Sequence, residues 1–390
     1  MISLHEPLIA GNEWKYIKNC LDQGWVSSSG KYVDLFEKKI SKYTGSNYAV
    51  ACINGTSAIQ ISLKLVGVGI DDEVIVPSMT FIAPVNAINY NNAKPIFMDN
   101  DDYYTIDVDK TVEFLNKETR TILKKKLPIT INKKTGNRIV ALIVVHLFGN
   151  AVKLEELTEL CKKKNIPIIE DAAESIGTFY NYGKYKNKHT GTVGKIGCLS
   201  FNGNKIITAG GGGMILTNDA KIAKKAKYLT TQAKDDPIKY IHNDIGYNFR
   251  LSNLHAALGL AQLESLPLYM KKKENIRQIY KKKIDKIQGL KLSKTSNSRG
   301  CNYWLNIVEI EKKLSKNKFS SIIKYLNKNG IQARPIWYPN HLQNKYKNCQ
   351  TFKLDNVKKI YLNRLCLPSS AQLTRKQQDF ICKKLKKICK

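Results

Sequence analysis

The sequence predicts an α/β fold: a large, mainly parallel sheet followed by a smaller α+β unit. Three observations carry this. Short apolar runs rich in Val and Ile recur without polar alternation, as strands buried on both faces do. Amphipathic helical stretches separate them through roughly the first two thirds of the chain. After about residue 265 the pattern gives way to lysine-rich helical segments with one strand-like run. At 390 residues the chain is long enough to bury a large core.

In order, YAVACI (48–53) reads as a strand and TSAIQISLKLVGV (56–68), after Asn54 and Gly55, as a helix. DEVIVPS (72–78) is a strand, APVNAINYN (83–91) a helix and AKPIFMD (93–99) a strand. Segment 116–138, with its lysines and Lys-Lys-Thr-Gly turn, reads as a surface excursion. RIVALIVVHLFG, VKLEELTELCKKKN and IPIIEDAAES then repeat strand, helix and strand between 138 and 175. LSNLHAALGLAQLESL (251–266) is a helix, and the change of character after it divides the chain into 1–265 and 266–390. In the second part NYWLNIVEIE (302–311) is strand-like and SKNKFSSIIKYLNKNG (315–330) helical. There is no internal repeat and no low-complexity linker.

Composition narrows the class. Apolar content of 43% with a mean hydropathy of −0.34 is that of a globular protein. No apolar run reaches the roughly 18 residues a membrane helix needs, and MISLHEPLIAGNEW lacks a basic start before an apolar stretch, so a cytoplasmic location is expected. The nine cysteines (Cys20, Cys52, Cys161, Cys198, Cys301, Cys349, Cys366, Cys382 and Cys389) are scattered, odd in number and form no CxxC pair. That pattern argues against a zinc site and a disulfide framework, and for reduced thiols. A net charge of +32 taken alone also suits a nucleic-acid binder. Here the lysines lie in short dispersed runs, such as Lys124 to Lys126, Lys162 to Lys164, Lys271 to Lys273 and Lys281 to Lys283. Arginines, the better base readers, are few. A solvated lysine surface is the simpler reading, and its potential would favour an anionic small molecule.

Three strand ends carry unusual residues, and ligands of parallel sheets bind beyond such ends. Asn54-Gly55-Thr56-Ser57 offers backbone N–H groups and two hydroxyls at a helix start, a cradle for phosphate; taken alone, a plain helix cap by Thr56 or Ser57 is the better reading. Glu170-Asp171-Ala172-Ala173-Glu174 puts acids beside small residues after IPII, with room for something flat or simply a helix-capping carboxylate. Lys205 lies in LSFNGNKIITAGGGGMILTND, among Ser200, Asn202 and Asn204 and ahead of the run Gly210 to Gly213. A lysine in such an apolar, tightly turned setting can stay neutral enough to attack an aldehyde.

Seven separated motifs make a resemblance specific: NGTSAIQ, VPSMTFIAPVNAI, VVHLFGN, IIEDAAESIG, SFNGNKIITAGGGGMI, GYNFRLSNLHAALGLAQLE and ARPIWYPNHLQ. Together they resemble, over essentially the whole chain, the DegT/DnrJ/StrS family of nucleotide-sugar aminotransferases that use pyridoxal phosphate (PLP) in an aspartate-aminotransferase-like (fold type I) architecture. Within it, SFNGNKIITAGGGGMI, TQAKDDP and RPIWYPNHLQ are most similar to the LegC-like enzymes of legionaminic acid biosynthesis.

The resemblance implies roles. Lys205 matches the lysine that carries the cofactor and later shuttles a proton, and Asp171 the partner of its pyridinium nitrogen. Glu174 falls where many relatives have Gln, near the cofactor's phenolic oxygen. Gly55, Thr56, Ser57 and Ser200 match the phosphate cup, and Phe81 the aromatic over the ring. Asn248 matches a residue reaching the phosphate of a neighbouring subunit, which implies a homodimer with shared active sites. His146, Arg334, Trp337 and His341 are assigned to the sugar side, although His146 equally suits a hydrogen-bonded core histidine. The implied partners are L-glutamate and a nucleotide-linked 4-keto-6-deoxy sugar of N-acetylglucosamine type, with no metal, nucleic acid or membrane. Transamination at another position, or of another keto-sugar nucleotide, is the alternative.

Overall fold

The run RIVALIVV shows how the sequence builds the centre of the sheet. In the computed structural model its alternate residues Ala141, Ile143 and Val145 enter one apolar layer, and Leu142 and Val144 enter the layer on the opposite face. Both faces are therefore covered, which is why no polar alternation is visible. The structure describes all residues except 125–126, 237, 297–298, 312–313 and 389–390. Lys125, Lys126, Pro237 and Cys389, which figure in the sequence reading, lie outside the described residues. The other eight cysteines are free thiols.

The chain begins with α1 (Glu13–Asp22), α2 (Lys31–Thr44), β1 (Tyr48–Cys52), α3 (Gly55–Leu65), β2 (Glu73–Pro77), α4 (Ile82–Tyr90) and β3 (Lys94–Met98). There follow α5 (Val108–Lys117), β4 (Thr119–Lys124), β5 (Leu127–Asn132), β6 (Arg138–Val145), α6 (Glu155–Lys163), β7 (Ile168–Asp171), β8 (Ile196–Ser200) and β9 (Gly213–Thr217). Next come α7 (Ala220–Thr230), β10 (Lys234–Asp236), β11 (Ile241–His242) and α8 (Asn253–Ile284). The last part holds β12 (Leu290–Leu292), β13 (Asn306–Ile310), α9 (Lys316–Lys328), β14 (Arg334–Pro335), β15 (Thr351–Phe352), α10 (Asp355–Ile360), β16 (Arg364–Leu367) and α11 (Arg375–Ile388).

Among the described residues the large sheet runs β1-β9-β8-β7-β6-β2-β3-β15. Pairing is parallel from β8 through β15, and β9 is antiparallel to both β8 and β1. The sheet is thus mixed and mostly parallel, as the fold class required. Segment 116–138 differs from the excursion expected of it. Its strands β4 and β5 form a hairpin docked antiparallel on β6 through Thr130↔Ile139 and Ile131↔Arg138. The hairpin supplies partners to backbone groups at the start of β6 that would otherwise lack them.

The second sheet, β12-β13-β16-β14, is antiparallel and has its own apolar layer against α9, α11 and the end of α8. A boundary at residue 265 falls inside α8, which continues through Pro267. The N-terminal segment also joins this region: Ile2 bridges to Ile331, and Ser369 N–H donates to Leu4 O at 2.8 Å. No helix among the described residues is long and apolar enough to cross a membrane.

Candidate active site

The carboxyl ends of β6, β7 and β8 stop at Val145, Asp171 and Ser200, and the β7 neighbours are in register: Val145↔Asp171 and Asp171↔Cys198. A cavity of about 290 Å³ opens there. One wall is the start of α3. Asn54 caps it, its side-chain oxygen accepting from Ser57 N–H at 2.8 Å. A Cβ on Gly55 would stand 2.9 Å from Ser200 Cβ, so only glycine lets the first turn lie this close to the end of β8. The first N–H groups of a helix have no partner within it and favour an anion. Thr56 lies on the same wall, whereas Ser57 is buried behind it.

Opposite stands the acidic segment after β7. Asp171 is 5% exposed, and its Oδ1 accepts from Ala173 N–H at 3.0 Å. Burial raises its pKa, while that backbone bond and the charge of Lys205 oppose the rise. Glu174 is deeper in effect: burial pushes it up to about 7 despite Lys205 nearby. Its Oε2 accepts from Phe148 N–H at 2.7 Å, and Phe148 adopts a left-handed φ of 55° to present that donor.

Lys205 lies between these walls. The loop holding it is fixed by Lys205 N–H donating to Asn202 O at 2.9 Å. Its Nζ is 3.8 Å from Glu174 Oε1 and 4.2 Å from the ring centroid of Trp304. Its side chain is 13% exposed and lines the cavity. Trp304, whose Nε1 donates to Asn204 O at 2.8 Å, was not singled out from the sequence; nor was Thr80, which also lines the cavity. Phe81 and Trp337 meet edge to face at 5.8 Å on the outer side.

The structure therefore brings Gly55, Thr56, Phe81, Asp171, Glu174, Ser200, Lys205 and Trp337 to one cavity. It places five candidates elsewhere. Ser57 is behind α3's first turn. His146 is fully buried, with Nε2 2.8 Å from Glu170 Oε2 and Nδ1 accepting from Val152 N–H at 3.1 Å. That ring packs beneath the strand ends as a hydrogen-bonded core histidine, the alternative that stood beside the sugar-side reading. His341 is turned into the protein, its Nδ1 2.6 Å from Ser78 Oγ. Arg334 is exposed on β14 and lines the adjoining groove with Tyr338 and Tyr361. Asn248 is exposed, bridged to Thr231, and is not on the cavity wall of its own chain.

An anion cradle, a buried carboxylate and an amine converging on one flat space at parallel strand ends is what a lysine-anchored PLP enzyme of fold type I requires. The cavity also fits such a cofactor in an unmet polar group: Thr80 Oγ1 is buried on its wall without a hydrogen-bond partner among the described residues.

Comparison with known proteins narrows the class. The DegT/DnrJ/EryC1/StrS aminotransferase family model matches residues 7–386. The GDP-perosamine synthase of Escherichia coli O157:H7 is 35% identical over 98% of this chain and 97% of its own. EpsN of Bacillus subtilis, named as a candidate pyridoxal phosphate-dependent aminotransferase, is 34% identical over 97% of this chain and 93% of its own. Among solved structures, a DegT DnrJ EryC1 StrS aminotransferase from Brucella abortus superposes with a TM-score of 0.85 at 27% identity, covering 96% of this chain and 95% of that one. The chain belongs to the DegT/DnrJ/EryC1/StrS aminotransferase family. It is a PLP-dependent sugar aminotransferase, acting on nucleotide-linked sugars.

Proposed function

We propose that the enzyme moves the amino group of L-glutamate to the keto carbon of a nucleotide-linked 4-keto-6-deoxy sugar, giving a 4-amino-4,6-dideoxy sugar nucleotide. The sugar favoured is of N-acetylglucosamine type, on a route to legionaminic acid, from the resemblance of SFNGNKIITAGGGGMI and RPIWYPNHLQ. The observation that carries the reading is the convergence of Lys205, Asp171 and the start of α3 on one cavity.

In this reading Gly55 and Thr56 N–H groups and the Ser200 hydroxyl hold the phosphate. Asp171 holds a proton on the ring nitrogen, Phe81 covers a ring face, and Glu174 stands beside the phenolic oxygen. The bound cofactor supplies a carbon that accepts amines and a cationic ring that takes up electron density. Lys205 anchors it, and the same Nζ, once released, is base and then acid for the single proton that must move between carbons. Glu174, 3.8 Å away, keeps that amine directed inward. Asn248, exposed and away from its own cavity, is assigned to the phosphate of a second subunit in a twofold homodimer with shared sites. We assign the enzyme to the cytoplasm, with residues 1–265 as the cofactor-binding unit and 266–390 as the smaller one.

A second reading has an observation of its own. The E. coli relative is named for a GDP-linked amino sugar, which favours a GDP-linked keto sugar as acceptor. One experiment separates the two: PLP-loaded enzyme, glutamate, and a panel of UDP-, GDP- and dTDP-linked keto sugars, with products identified by mass spectrometry and NMR. The expected result is one 4-amino product with an equal amount of 2-oxoglutarate. A protein that carries PLP on Lys205 yet aminates no member of the panel at C4 overturns the proposal.

A further inference from the structure

Lys273, in the middle of α8, has no exposed surface. Its ammonium donates to two carbonyls, Trp304 O at 2.6 Å and Ser369 O. Neither carries a formal charge, and burial pushes the pKa of Lys273 down to about 7. Such a buried cation costs stability unless what it braces offsets the desolvation. What it braces is specific. Trp304 precedes β13 and Ser369 follows β16, so one side chain ties α8 to both central strands of the small sheet.

Trp304 carries that brace to the large sheet. Its carbonyl is held by Lys273, its Nε1 donates to Asn204 O in the loop of Lys205, and its ring face lies under Lys205 Nζ at 4.2 Å. At 1% exposure the indole has no room to turn aside. On the N-terminal segment, the His5 ring packs against it with centroids 6.3 Å apart. Burial, reinforced by the charges of Lys273 and Lys205, lowers the pKa of that histidine and keeps it neutral.

We propose that Trp304, locked in place by Lys273, is a positioning residue that fixes both the loop and the amine of Lys205 for attack on the cofactor. The inference rests on the reading of Lys205 as the cofactor-anchoring lysine. A free lysine side chain has many rotamers of similar energy, most of them pointing its amine away from the cavity. The indole face draws in the protonated amine by cation–π attraction and still walls in the neutral amine that makes the attack, while the fixed loop holds the stem. Neither group takes part in the proton transfer itself. Their effect is on how often Nζ is where the reaction needs it.

The test reads capture of PLP by the cofactor-free protein, separately from turnover. Protein and PLP are mixed, the bond is fixed with borohydride at timed intervals, and the share of Lys205 carrying the phosphopyridoxyl group is measured by peptide mass spectrometry. Labelling of surface lysines serves as the internal control. Trp304→Leu is expected to slow labelling of Lys205 about tenfold while leaving the surface lysines unchanged. Trp304→Phe, which keeps a ring but no N–H donor, falls between it and the native protein. Lys273→Met slows capture several-fold, and if that variant does not fold, as judged by circular dichroism, the two Trp304 variants carry the decision. Folded Trp304→Leu protein that captures PLP on Lys205 at the native rate overturns the inference alone. Native protein that never takes PLP on Lys205 overturns the functional reading beneath it.

Discussion

Replacing Glu174 by glutamine exchanges one carboxyl oxygen for an amide nitrogen in a part of the cavity wall that is 6% exposed. The native carboxyl has its pKa pushed up to about 7, chiefly by burial, from an ordinary 4.5. Ionising it inside the fold therefore costs roughly 3 kcal/mol relative to ionising it in the unfolded chain. The sign follows from the direction of the shift. A group whose folded pKa is raised contributes its stability fully below its unfolded pKa and loses it as pH rises through the folded one. Of that contribution, about 1 kcal/mol is gone at pH 5 and nearly all at pH 8, so the native protein weakens by about 2.5 kcal/mol across this window from Glu174 alone. Glutamine does not titrate, and its oxygen can still accept from Phe148 N–H. For a chain of this length the difference in thermal midpoint between Glu174→Gln and native protein should widen, in favour of the variant, by about 3 °C from pH 5 to pH 8. The assay is thermal unfolding of the cofactor-free proteins across that range. A difference that stays flat, or that closes as pH rises, refutes the reasoning, because any constant packing penalty of the amide cancels in the slope.

Asp171→Asn should still load PLP on Lys205 but turn over on the order of a hundredfold more slowly, since the amide cannot hold a positive ring nitrogen; single-turnover absorbance with glutamate checks this. Gly55→Ala places a Cβ 2.9 Å from Ser200 Cβ. It should weaken PLP binding by about tenfold with little change in the thermal midpoint of the cofactor-free protein, read by PLP titration. His146→Ala leaves Glu170 buried without its ring partner and should cost about 3–5 kcal/mol, a fall of roughly 4–6 °C in thermal midpoint. Unchanged stability there would show that the N–H groups of Gly191, Val193 and Gly194 suffice to hold that carboxylate.

Much of the fold was legible because the central strands state their environment locally. RIVALIVV and IPII are short and rich in β-branched residues, which marks them as strands covered on both faces, and the helices between them show one apolar side. The parallel majority was legible, but the antiparallel place of β9 was not. β1 and β9 meet antiparallel through Cys52↔Gly213 and its neighbours, yet GMILT is as apolar and as buried as the parallel strands, so nothing in it marks the reversal. Segment 116–138 misled for a related reason. Lysines and an exposed Leu123 and Leu127 mark a surface, but they do not say that the backbone beneath completes β6. In NYWLNIVEIE the strand is confined to Asn306–Ile310, because Trp304 is held outside the ladder by Lys273 and Asn204, both far away in sequence.

The site divides along the same line, with one instructive exception. Lys205, Asp171, Gly55, Thr56 and Ser200 each sit at a strand end whose chemistry is written in its own few residues, and all five reach the cavity. Trp304 has no such local signature. His146 did have one, and it pointed away from the cavity. Successive residues of a strand face opposite sides. In β7, Ile169 belongs to the layer on the α3 side and Ile168 to the other, so Asp171 goes with the first and Glu170 with the second. In β6 the same count puts Val145 with the first layer and Val144 with the second. Carried one residue past the end of β6, the alternation sends His146 to the side of Val144, and therefore to Glu170, where the two rest 2.8 Å apart. The histidine and the carboxylate one residue before Asp171 thus form a buried pair under the strand ends, and the two-residue period of the strand backbone separates Asp171, which lines the cavity, from the pair beneath it.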